Sequence, residues 1–97
     1  MHRSTLERRI SDTHDLLVRA RAELAVLDEQ LVVVNEIADD TRMRALVAES
    51  PAASREDDEA HRHAEALIQA RAAQVDRVAE LQRRQDELLD RLVTDPA

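Results

Sequence analysis

The stretch EDDEAHRHAE, residues 56–65, sets two histidines among five acidic residues and is the densest group of metal-binding and proton-moving side chains in the chain. On a helix Asp57, His61 and Glu65 fall four apart on one face, and Asp58 precedes His61 by three. Carboxylates and imidazoles at this spacing ligate divalent metals, and helical bundles build di-metal centres from them when glutamates on facing helices converge in the core. The nearest carboxylates earlier in the chain are Asp40 and Glu36, which would approach Glu65 only across a turn at the surface. A simpler role is available: acids early in a helix complement the unpaired backbone amides of its first turn. The expectation is therefore no metal and no cofactor, with His61 and His63 at a solvated edge.

The remaining inventory argues against catalysis. With no cysteine and no tyrosine, the available nucleophiles are Ser, Thr and carboxylates, and serine occurs only at positions 4, 11, 50 and 54. All but Ser11 fall where a terminus, cap or turn is expected. A chain without glycine cannot form a glycine-rich phosphate loop or a dinucleotide-binding turn. No catalytic residue is assigned.

These side chains must sit on helices. The 97 residues contain no Phe, Tyr or Trp and only two prolines, so nothing bulky is available to fill a sandwich or an α/β core. The net charge of −7 disfavours nonspecific nucleic-acid binding, and the basic tip Arg3, Arg8 and Arg9 reads as a solvated face. No apolar run approaches the roughly 20 residues that cross a bilayer, so no membrane contact and a cytoplasmic location are expected.

Ser4 and Glu7 have the spacing of a capping box that opens a first helix over about 5–49. Its apolar and small positions run Leu6, Ile10, Thr13, Leu17, Ala20, Leu24, Leu27, Leu31, Val34, Ala38, Thr41, Ala45 and Ala48, in alternating steps of four and three. That is a sustained heptad seam. Pro51 lacks an amide hydrogen and restricts Ser50, which places a turn at about 50–54. Ser54 is the expected cap of a second helix over about 55–93, with residues 56–59 as its first-turn acids. The apolar face of that helix is read as Ala60, Ala64, Leu67, Ile68, Val75, Val78, Leu81, Leu88, Leu89 and Leu92, interrupted by Arg71, Gln74 and Gln85. So short a turn folds the helices antiparallel, with facing residue numbers summing to about 105, to within a turn. Leu24 would face Leu81, and Leu17 would face Leu88. The fold class is all-α: a single long two-helix antiparallel coiled-coil hairpin.

LDEQLVVVNEIADD, residues 27–40, carries more apolar residues than one seam needs. With Leu31 at heptad position a and Val34 at d, Val26 and Val33 fall at c and Leu16 and Ile37 at g. These four form a second strip beside the first. Leaving such side chains in water forgoes about 1.5 to 3 kcal/mol each. The expected partner is a second copy, giving a homodimeric four-helix bundle; a different protein docking on the strip is the alternative.

The turn end of the hairpin gathers Asp39, Asp40, Asp57 and Asp58 with Glu36, Glu49, Glu56, Glu59 and Glu65, relieved by Arg42, Arg44, Arg55 and Arg62. A rigid antiparallel coiled coil with an acidic end resembles in shape the N-terminal hairpin of the Gre transcript-cleavage factors. That resemblance implies a small regulator docking its acidic end on a larger machine such as RNA polymerase. Asp39 and Asp40 lie about ten residues before the turn rather than at its apex. In length the chain is also similar to the small secreted WXG proteins, although ESPAAS stands where those carry a Trp-x-Gly turn. The principal reading is a non-enzymatic interaction or scaffold module that acts through coiled-coil self-association.

Overall fold

The computed structural model describes residues 2–94. They form two α-helices, α1 (Arg3–Ala48) and α2 (Pro51–Thr94), that pack against each other as an all-α helical hairpin. Of the tail that the sequence reading leaves beyond a second helix ending at about 93, residues 95–97 lie outside the described residues.

Helix α1 starts earlier than the capping box implied. The amide of Leu6 donates to the carbonyl of His2 at 3.0 Å, which makes His2 the capping residue. Its Nδ1 accepts from the amide of Ser4 at 3.4 Å and lies 2.9 Å from the Ser4 hydroxyl. Ser4 is thus inside the first turn, and Glu7 pairs with Arg3 at 3.2 Å instead of reaching back to a cap.

The turn is also shorter than expected. Ala48 is the last helical residue, and Glu49 takes a left-handed conformation with φ 49° while its amide donates to the carbonyl of Ala45 at 3.1 Å. Ser50 then caps α2: its hydroxyl accepts from the amide of Ala53 at 3.1 Å, and its carbonyl accepts from Ser54 at 3.1 Å. Pro51 occupies the first helical position, where its missing amide hydrogen costs nothing and its fixed φ suits the helix. Proline therefore starts α2 rather than merely stopping α1, the linker is Glu49 and Ser50 alone, and Ser54 is not the cap. The acids at 56–59 consequently sit beyond the first turn.

The α1 seam matches its sequence reading: every position from Leu6 to Ala45 in the four-three series is buried or half-buried, and only Ala48 is exposed. The α2 seam does not match. It runs Ala53, Asp57, Ala60, Ala64, Leu67, Gln74, Val78, Leu81, Gln85, Leu88 and Leu92, so Gln74 and Gln85 belong to it. Ile68, Val75 and Leu89, each one position past the seam, are exposed.

The chain divides into two compact units, Met1–Leu24 with Gln74–Ala97 and Ala25–Ala73, called here the terminal unit and the turn unit. In the terminal unit Leu17, Ala20 and Leu81 form the core, with Leu16 and Val78 packed against it. Leu6 and Leu81 are fully buried. Gln74 donates to the carbonyl of Ala20 at 3.0 Å and to Glu23 at 3.1 Å, and Arg21 donates to Gln82 at 2.6 Å. Leu81 therefore meets Leu17 and Ala20 rather than Leu24. In the turn unit Arg71 pairs with Asp28, and the Thr41 hydroxyl bonds to Asp57. Facing numbers in each unit sum to about 99 instead of about 105, a displacement of α2 by somewhat over one and a half turns. Its cause is the two-residue linker, which centres the reversal between Glu49 and Ser50.

Candidate interaction surfaces of the turn unit

The turn unit distributes its side chains in an unusual way. Beside the turn its seam is made of small residues, Ala38, Thr41 and Ala45 on α1 against Ala53, Asp57, Ala60 and Ala64 on α2, and toward its other end the larger members are Leu27, Leu31, Val34 and Leu67. Its other large apolar residues, Val26, Val32, Val33, Ile37, Met43, Leu46, Val47 and Ile68, are exposed. Alanine seams allow close helix approach but bury little apolar area. Much of the hydrophobic material of this unit therefore faces outward.

It is grouped on two surfaces. The first is the strip read from the sequence: Val26, Val33 and Ile37 are each about half exposed on one flank of α1. Beside it lies a groove of about 370 Å³ lined by Glu29, Gln30, Val33, Val34, His63 and Leu67. Leu16, the fourth residue of the predicted strip, belongs to the terminal unit, where it is half-buried against the Leu17, Ala20 and Leu81 core. The heptad positions place Ile68 on the opposite flank of the turn unit, the side of the Asp28 and Arg71 pair.

The second surface was not foreseen. Met43, Leu46 and Val47, spaced i, i+3 and i+4, are 63%, 68% and 82% exposed and cover the outward face of the last α1 turns. Below them a groove of about 550 Å³ is lined by Asp40, Met43, Arg44, Val47, Ala48, Ser50, Ala52, Ala53 and Glu56. The signal was present in the sequence, because these residues fall at f, b and c, opposite the seam, where a solvated helix carries polar residues.

The acidic residues divide by environment. Asp39 and Asp58 are exposed, and Asp40 is exposed with Arg44 3.6 Å away. Asp57 is turned into the seam, where its Oδ1 lies 3.2 Å from Thr41 Oγ1 and 3.0 Å from His61 Nδ1. The same imidazole nitrogen is 2.9 Å from the carbonyl of Asp57. Asp57 thus ties α1 to α2 from a half-buried position. Among the described residues no three of His, Cys, Asp and Glu converge as metal ligands, and no helix is long and apolar enough to cross a membrane.

Charge is concentrated in the same unit: residues 25–73 carry eleven carboxylates against five arginines, a net −6 of the chain's −7. The fold and these surfaces define the class as a helical hairpin with outward-facing apolar surfaces. Comparison with family models, with curated protein sequences and with solved structures returns no match for this chain.

Proposed function

We propose that the chain is a non-enzymatic interaction module that associates with a second copy of itself through the α1 flank carrying Val26, Val33 and Ile37. The observation behind this reading is the strip itself: beside a seam that turns to alanine and threonine near the turn, Val26, Val33 and Ile37 each stand about half exposed on one flank of α1. A strip of large apolar residues next to a largely uncharged groove supplies a knob and a hole on one flank. A two-fold contact requires both on the same patch.

The contact is drawn between α1 flanks and not as one bundle that covers both apolar strips, because Ile68 lies on the other side of the helix pair. Sedimentation at micromolar concentration tests it. The wild type should sediment as a dimer or larger, and V33E/I37E should shift it to monomer with an unchanged helical circular dichroism signal. A wild type that stays monomeric at high concentration would end this reading.

A further inference from the structure

We infer that the turn end is a second, separate docking surface, built for a basic amphipathic helix of another protein. The apolar anchor points are Met43, Leu46 and Val47, the spacing with which one helix presents a continuous apolar face to another. The groove beneath them is floored by Ala48, Ala52 and Ala53, whose small side chains let a partner backbone approach closely.

Charge identifies the occupant. Asp39 and Asp40 precede Met43 by four and three residues, so two carboxylates stand one turn above the apolar anchors on the same outward face. Glu56 lines the groove on the α2 side. Arg44, the basic residue of this wall, lies beside Asp40 at 3.6 Å. A second copy docked patch to patch would set Asp39, Asp40 and Glu56 against the same three acids, a repulsion local to this surface. A helix with leucine-like residues on one face and lysine or arginine one turn away satisfies both parts of the surface. Acids facing the rim likewise disfavour an anionic membrane.

The probes are two synthetic amphipathic helices, one of leucine and lysine and one of leucine and glutamate, titrated calorimetrically onto the full chain. The lysine peptide should bind and the glutamate peptide should not. L46E/V47E should weaken lysine-peptide binding by about tenfold or more, with helix content retained because these side chains are exposed. D39R/D40R should turn the preference toward the glutamate peptide, and V26E/V33E, on the other surface, should leave lysine-peptide binding as in wild type. Equal binding of both peptides, or undiminished lysine-peptide binding by L46E/V47E, would overturn the proposal. So would loss of homo-oligomer mass in L46E/V47E, since a second copy would then be the occupant. Loss of self-association in V33E/I37E bears only on the other surface, so the two proposals fail separately.

Discussion

Thr41 on α1 and Asp57 on α2 meet across the alanine seam of the turn unit, hydroxyl to carboxylate, at 3.2 Å. The hydroxyl is also 3.0 Å from the carbonyl of Ala38, so its one proton serves an inter-helix acceptor and a local one. Where the seam offers so little apolar area, this polar tie adds to the register that the two-residue linker sets. Replacing Thr41 by valine keeps the shape and removes the donor from a half-buried carboxylate. T41V should lower stability by about 1 kcal/mol, read as a lower urea midpoint, while T41S should retain most of it. Identical midpoints for all three proteins would show that the contact carries no stability.

Glu49 is the turn residue with φ 49°, a conformation that costs a side chain bearing Cβ about 1 to 2 kcal/mol relative to glycine. E49G should raise the thermal midpoint, with a gain of about 0.5 to 1 kcal/mol after the greater entropy of the unfolded glycine is subtracted. E49A should give no such gain. If alanine stabilises as much as glycine, removal of a negative charge rather than relief of backbone strain is responsible.

Which parts of this structure could be read from the sequence follows from how far one local signal decides each. The α1 seam was legible because thirteen positions hold a single phase and nearly all are apolar or alanine. The α2 seam was misread because Asp57, Gln74 and Gln85 occupy seam positions, while Ile68, Val75 and Leu89 supply hydrophobicity one residue out of phase. Heptad spacing outranked residue type. At the turn, two serines each precede a plausible helix start, and the choice of Ser50 depends on Pro51 serving as an opening residue. That cap shifts the facing residues within each unit. The Val26, Val33 and Ile37 strip follows from the phase of α1 alone, whereas Met43, Leu46 and Val47 fall outside both the seam and that strip, among charged neighbours that mask their common face.

Gln85 lies in the buried seam of the terminal unit with its Oε1 lacking a hydrogen-bond partner. A buried acceptor without a donor bears its desolvation penalty uncompensated, about 1 to 3 kcal/mol. Q85L, similar in size, should therefore stabilise the chain by about 1 kcal/mol or more, which a urea titration resolves. A destabilised Q85L would show that the amide contributes through its nitrogen or its packing.

Salt separates the two proposed surfaces. Copies that meet through Val26, Val33 and Ile37 bring together two turn units of net −6, so apolar burial there works against like-charge repulsion. Raising salt from about 0.01 M to 1 M shortens the screening length from about 30 Å to about 3 Å and removes most of that repulsion without reducing apolar burial. Self-association should consequently tighten with sodium chloride, seen as a rising weight-average mass at fixed protein concentration. Docking of a basic helix at Met43, Leu46 and Val47 draws on opposite charges and should weaken over the same range. A homo-oligomer that dissociates as salt rises would show that ion pairs between copies hold it together, and the apolar strip would lose its place as the contact.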